Sequence, residues 1–365
     1  GNSPLAISLA GSFISANPDF PLTNIINQLR EERMIMKPEG DEFVKEEKQE
    51  IEIIDRDVQP IYNIIMRGLK KETATVLRKL ALFAGSFDKK AEEKICGDRE
   101  NEHLKRLVAL KLIDYDPLNQ RYSFHEIVRK LVSKELCPSE KILTHRNLAL
   151  YYFDVLTEAN ELFEQDEDAA ESALNMFDLN WPNIQAGQAW SAKKSTEDAA
   201  IAKLCGDYCT QARVLMPMRH PPEECIQWNE SALAASRDSE NIESEKNNLL
   251  TLGMQLSDLG HFEKAAEYSE DAQNLANQLG HVKDEKDALK LLGQANLEIK
   301  NYERASECFE KVLEFAMLEG NKKNEMEILD LLAQAYYKSN ELEKAELNYK
   351  KSLDIAQKTN NKKQT

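Results

Sequence analysis

Six histidines and six cysteines are the side chains with the widest chemistry in this 365-residue chain, and neither set is spaced for it. His103, His125, His145, His220, His261 and His281 lack the short separations that gather metal ligands, so no metal site is expected. Cys96, Cys137, Cys205, Cys209, Cys225 and Cys308 contain no Cys-x-x-Cys pair. Cys205 and Cys209 lie four apart, one above the other on a helix, as small core fillers; the set reads as reduced cytosolic thiols. No Ser–His–Asp or Cys–His arrangement can be argued from the spacing. Nor does a Gly-x-x-x-x-Gly-Lys-Ser/Thr phosphate loop or a strand-borne acidic Mg²⁺ site occur. The chain by itself is therefore not expected to be an enzyme, and no cofactor is expected in it alone.

The elements around these residues are mostly helical. Glycine (13) and proline (11) are scarce, which disfavours turn-rich β architectures. From about 246 to 358 the chain repeats with a period of 40. Gly253, Gly293 and Ala333 align, as do Leu249, Leu289 and Leu329, then Ala265, Ala305 and Ala345. The turns Gly260-His261-Phe262, Lys300-Asn301-Tyr302 and Asn340-Glu341-Leu342 align too. Each unit reads as two amphipathic helices, A and B, which must stack on neighbours to bury their apolar stripes. Small residues at 253, 293 and 333 let helix A approach helix B of its own unit, and Phe309 and Tyr349 are expected to fill the space to the next unit. The pattern resembles the tetratricopeptide repeat, with longer helices than its usual length of about 34 residues. Counting backwards, about five helical hairpins run from 142 to 358. No polar capping helix follows Asn360-Asn361-Lys362-Lys363, so the array is expected to continue beyond Thr365; a start at Gly1 rather than Met points to a longer parent.

Residues 73–137 read differently: three helices, a hairpin around Asp114–Asn119, and the helix Glu126–Leu136, the plan of a winged helix. Before them come helices at Pro4–Ser15, Pro21–Arg33 and Val58–Leu69, with a charged linker over 37–57. The domains expected are thus a helical subdomain at 1–70, a winged helix at 71–140 and a repeat array at 141–365.

Charge bears on partners. The formal net charge of −17 disfavours nucleic acid and anionic membranes. The winged-helix span holds 13 Lys/Arg against 10 Asp/Glu, a net of +3, which weakens that argument locally. Its recognition-helix candidate has Lys105, Arg106 and Lys111, but also Leu104, Leu107, Val108, Leu110 and Leu112, the composition of a packing helix. Between Asn147 and Ala192 there are nine acids and no Lys or Arg. A solubilising face is one reading of that zone; a cationic partner, tested by charge reversal at Glu164, Asp166 and Asp168, is the other. Groove-lining candidates on the A helices are Asn248, Gln255, Lys290, Asn296, Asp330 and Tyr336.

Three features occur in one order: Gly1-Asn2-Ser3-Pro4-Leu5-Ala6, then Leu77-Arg78-Lys79-Leu80-Ala81-Leu82-Phe83-Ala84-Gly85-Ser86-Phe87, then Arg121-Tyr122-Ser123-Phe124-His125-Glu126-Ile127-Val128-Arg129. With Leu179-Asn180-Trp181-Pro182-Asn183-Ile184-Gln185-Ala186 after them, the chain resembles the back half of NB-ARC/STAND-class signal-transducing ATPases with tetratricopeptide sensors. The resemblance implies that Pro4 packs on the adenine and His125 reaches the β-phosphate of ADP or ATP held by an upstream phosphate-loop domain. Phe124 and Glu126 stand where the family has Met and Asp. Read without it, Pro4 is a first-turn helix residue and His125 a half-buried structural one.

The expectation is an all-α chain in which a helical subdomain and a winged helix precede an α-solenoid. It would be the cytoplasmic regulatory half of a nucleotide-switched signalling protein. Its partners would be a protein or peptide on the array, the upstream domain, and further copies when activated. The alternative is a tetratricopeptide adaptor without nucleotide switching.

Overall fold

The computed structural model describes residues 3–35, 58–133, 135–165 and 167–362. The linker expected over 37–57, the opening Gly1-Asn2 and the side chains of Asp166 and Asp168 lie outside the described residues. The chain is all-α in class, with 18 helices and one two-stranded sheet among the described residues. It divides into two compact units, which meet in sequence at Trp190 and Ser191.

The first unit opens with α1 (Pro4–Ala16), α2 (Leu22–Ile35) and α3 (Val58–Gly68). Ser3 caps α1 by accepting from the Ala6 amide, and Pro4 occupies the first turn, where its missing N–H costs nothing. α3 is the central member: Val58, Ile61, Ile64 and Ile65 are buried, and α1 and α2 both pack on it. Glu32 on α2 is almost fully buried and receives both Arg67 and Asn63 from α3.

Next come α4 (Lys71–Leu80), α5 (Lys89–Cys96) and α6 (Glu102–Ala109), followed by β1 (Asp114–Asp116), β2 (Arg121–Ser123) and α7 (Glu126–Val132). β1 and β2 pair antiparallel, Tyr115 opposite Tyr122. Asp98, buried, accepts from the amides of Glu102, His103 and Leu104 and so caps α6. The apolar face expected for α6 is present, with Leu104 and Leu107 buried. Arg106, counted in the sequence as a cation of that helix, donates instead to Ala16 O and Asn17 Oδ1 at the end of α1.

α8 (Pro138–Phe163) and α9 (Glu167–Lys194) complete the unit. Phe83, Phe87, Tyr122 and Tyr152 form a ring cluster, with Phe83 4.5 Å from Phe87 and 6.0 Å from Tyr152, and Phe87 5.9 Å from Tyr122. The cluster joins the loop after α4 to β2 and α8. Asn180, Pro182 and Asn183 of α9 grip the same loop. Gly85 N donates to Asn183 Oδ1 at 3.0 Å, and Asn183 Nδ2 donates to Ser86 O at 2.8 Å. Arg121 is 7% exposed and donates to Ser86 O, Leu179 O and Asn180 Oδ1. A Cβ on Gly85 would stand 2.9 Å from Pro182 Cβ, so glycine is the residue that admits this approach.

The second unit is a stack of antiparallel helices. It runs through α10 (Ala199–Ala212), the short α11 (Met216–Arg219), α12 (Pro222–Asp238), α13 (Ile242–Asp258), α14 (Phe262–Leu279), α15 (Val282–Glu298), α16 (Tyr302–Glu319), α17 (Lys322–Lys338) and α18 (Leu342–Lys362). From α12 onward each helix packs on the next, and α13 also packs on α15.

The turns explain the 40-residue period. A left-handed residue recurs every 20 positions: Glu240, Gly260, Gly280, Lys300, Gly320 and Asn340. At each A-to-B turn the backbone wraps back on the helix: the amides of His261, Asn301 and Glu341 donate to the Leu256, Asn296 and Tyr336 carbonyls at 2.8 Å, the bond of a Schellman cap. Lys300 holds φ 67° with a side chain that glycine would lack. Lys300→Gly is therefore expected to raise the stability of the second unit by about 1 kcal/mol, read as a higher urea midpoint.

The small-residue positions behave as the sequence implies. Gly253 faces Ser269 of α14, and Gly293 faces the Phe309 ring of α16. Phe309 is fully buried among Leu289, Leu292, Ile328 and Leu332. Phe309 thus fills the space expected of it, and Tyr349, the equivalent residue of α18, is 44% exposed.

Candidate functional site

Helices α13, α15 and α17 are the A helices of three successive units, and one side of them forms a groove of about 310 Å³. Its lining follows the repeat frame. Met254, Gln294 and Gln334 are equivalent positions, as are Leu291 and Leu331, and Asp258 and Glu298. On each helix these residues are separated by three, four or seven positions, so they share one face. Met254 is 41% exposed, and Leu291 and Leu331 are half-buried, giving an apolar floor. Gln294 and Gln334 add amides that both donate and accept.

The six groove candidates from sequence fall differently. Asn248, Asn296 and Tyr336 are buried at 2%, 4% and 6% exposure and turn away from the groove. Asn296 Nδ2 donates to Leu292 O at 2.8 Å, and Asn248 Nδ2 to Ser236 Oγ at 3.5 Å. The Tyr336 hydroxyl donates to Glu310, and burial followed by that carboxylate pushes its ionisation far upward. Gln255 is half-buried and accepts from Asn229, Lys290 pairs with Glu327, and Asp330 is exposed. None of the six lines the groove. Polar type was the signal used, and it fails where a helical Asn satisfies itself on its own backbone. The better signal was the recurrence of Leu291 and Leu331 outside the row that faces helix B.

At the other end of the A helices, Glu243, His281 and Asp284 place ligand atoms within 4.8 Å of one another, the spacing of a cation site. The ammonium of Lys246, 1% exposed, is the cation there. It lies 2.8 Å from Glu243 Oε1 and 3.0 Å from His281 Nδ1 and is also paired with Asp284. Desolvation opposes that charge, but the bonds to Asp284 and Glu243 outweigh it and hold the Lys246 ammonium above its usual range. The same His281 Nδ1 also lies 3.4 Å from Glu243 Oε2 and 3.7 Å from Asp284 Oδ2.

Pro4 and His125 are both exposed. His125 caps the seven-residue α7: its Nδ1 accepts from the Ile127 amide at 3.4 Å, which places the ring proton on Nε2. It is not the half-buried residue that the bland reading pictures. Pro4 shares an open stripe of α1 with Ile7, which is 64% exposed, and Gly11, beside which a Cβ would meet no atom within 4 Å.

No described helix is long and apolar enough to cross a membrane. The family model described as Tetratricopeptide repeat matches residues 287–358. No curated protein matches the chain. Among solved structures, the chain is similar to a Signal Transduction ATPase with Numerous Domains (STAND) protein with a tetratricopeptide repeat sensor from Pyrococcus horikoshii, at 16% identity and a TM-score of 0.39. That alignment covers 91% of this chain and 62% of the other, so the chain spans less than two thirds of that protein's length. It is also similar to a putative kinesin light chain with nearly identical TPR-like repeats from Podosopora anserina, at 15% identity and a TM-score of 0.43, over 56% of this chain and 94% of that one. A third likeness is to BtubC (BKLC) from P. vanneervenii, at 16% identity and a TM-score of 0.42, over 59% and 92%.

Proposed function

We propose that the second unit is a protein-binding sensor whose groove across α13, α15 and α17 holds a segment of another protein. The observation that supports this is the groove's periodic lining: three successive repeats present Met254, Gln294 and Gln334 from one equivalent position, and two of them add Leu291 and Leu331 from another, on one open face. Apolar contact gives such a site its affinity, and the glutamines give a peptide backbone donors and acceptors. Peptides selected from a displayed library against the full chain are expected to lose at least about ten-fold in affinity on Leu291→Glu with Leu331→Glu, the loss of about 1.4 kcal/mol of apolar contact. Selected peptides indifferent to that double variant would overturn the reading.

We further propose that the first unit is the lid of a nucleotide switch in a longer parent protein. The support is the exposed stripe of Pro4, Ile7 and Gly11 on α1, a close-approach surface for another domain, together with an exposed His125 whose Nε2 proton suits a phosphate oxygen. ADP or ATP would be held by the upstream domain, and Pro4 and His125 would bind and orient it without taking part in hydrolysis. A segment bound to the array would bias the lid towards its open state. His125→Ala in the parent is expected to lose about ten-fold in ADP retention, one charged hydrogen bond's worth, measured as the dissociation rate of fluorescent ADP. Unchanged retention would remove the clamp from the mechanism.

A further inference from the structure

The groove has a charge as well as a shape. Its lining contains two carboxylates, Asp258 and Glu298, and no Lys, Arg or His. Both side chains are exposed, and neither is engaged by a cation among the described residues. Asp258 is the last residue of α13 and Glu298 the last of α15. Each thus stands where the aligned peptide dipoles of its helix add partial negative charge. Lys338 ends α17 at the equivalent position, which confines the acidic end to the first two helices.

The apolar floor lies towards the other end of the same faces. Leu291 precedes Glu298 by seven residues, about 10 Å along a helix. An extended peptide covers that distance in about three residues. Gln294 stands between them, within reach of the backbone of such a peptide.

We infer that the groove takes an extended segment in which an apolar side chain seats on Leu291 and Leu331 and a Lys or Arg about three residues away meets Asp258 and Glu298. This rests on the groove being the binding site, as proposed above. An acidic residue at the second position would face two like charges, and a neutral one would shelter them without a partner, so the preference is built by repulsion as well as attraction. The chain's net charge of −17 favours the approach of the same class of ligand.

The test uses the full chain and three fluorescent synthetic peptides that share a central Leu and differ only in the residue three positions after it, which is Arg, Gln or Glu. Anisotropy titration is expected to rank them Arg, Gln, Glu, with about three- to ten-fold between Arg and Gln, and the preference should shrink as salt is raised. Asp258→Lys with Glu298→Lys is expected to reverse the order. Both sites are exposed helix C-termini where a cation is favourable, so this variant retains the fold. Equal binding of all three peptides, abolished by Leu291→Glu with Leu331→Glu, would overturn the charge inference and leave the groove reading standing. No binding, or binding indifferent to Leu291 and Leu331, would overturn both.

Discussion

Glu92→Gln is expected to flatten the pH dependence of the first unit's stability between about pH 4.5 and 8. Glu92 lies on α5 with no exposed surface, and neither of its carboxylate oxygens has a hydrogen-bond partner. Burial, then the nearby charges of Asp98 and Glu93, raise its pKa from 4.5 to about 8, against the weaker pull of Lys89. The folded chain therefore keeps this proton at neutral pH, while the unfolded chain releases it near 4.5. Raising the pH through that window favours the unfolded state, by about 1.4 kcal/mol per pH unit. The contribution is fully present below pH 4.5 and is lost by about pH 8, a total on the order of 5 kcal/mol.

Glutamine has the shape and no titration, so its stability should change little over the window on this account. Glu92→Met should in addition remove the unpaired polar atoms and exceed the parent at every pH. Of the three tryptophans, Trp181 and Trp190 belong to the first unit, so a Trp228→Phe background makes fluorescence report that unit during urea unfolding. Parallel stability curves for the parent and Glu92→Gln would show that Glu92 is ionised in the folded state, contrary to this account.

The second large effect inverts a familiar substitution. Gly→Ala inside a helix normally gains up to about 1 kcal/mol, because alanine has less backbone freedom to lose. Gly11→Ala on α1 is expected to show that gain, since the added methyl meets open space. At Gly293 the same methyl would stand 2.7 Å from Cε1 of Phe309 and 3.0 Å from two further ring atoms. That ring is fully buried and cannot swing aside without disturbing Leu289, Leu292, Ile328 and Leu332. Gly293→Ala is therefore expected to destabilise the second unit by about 2 kcal/mol. Phe309→Ala should cost about 3–5 kcal/mol by leaving a cavity between α15, α16 and α17. The two changes should couple: Gly293→Ala with Phe309→Leu is expected to be less harmful than the sum of its parts, because the smaller side chain makes room for the methyl. Additive effects would mean that the contact at Gly293 does not limit the approach of the helices.

Much of the architecture was legible because its determinants are local and repeated. Gly253, set against Ser269, and Gly293, set against Phe309, mark where helices A and B touch, and an in-phase repeat cannot place one such contact without the others. The β-hairpin was legible from Pro117 and the flanking Leu112-Ile113 and Tyr122-Ser123-Phe124, but its first strand, Asp114–Asp116, lies inside the stretch that reads as turn. The left-handed turns were only half legible: Gly260, Gly280 and Gly320 announce them, whereas Glu240 and Lys300 take the same conformation with residues that give no warning. Three of the six groove candidates proved buried for a related reason. Asn248, Asn296 and Tyr336 looked like surface residues by type, yet their partners are Ser236, Leu292 O and Glu310.

By itself the sequence determined that this is an all-α protein with a tetratricopeptide-like solenoid, because a helix's apolar stripe and its small residues are set by spacing along the chain. Tertiary structure alone decided which polar row of the A helices opens onto the groove, where the Lys246 ammonium finds its three partners, and that Glu92 is shut away from water. Adjacent rows on a helix differ by about 100° of rotation per residue, so a small turn of the packed helix exchanges a buried row for an open one. The cost of a buried polar group is likewise set by neighbours that lie far away in sequence: Asp284 for Lys246, or the absence of any partner for Glu92.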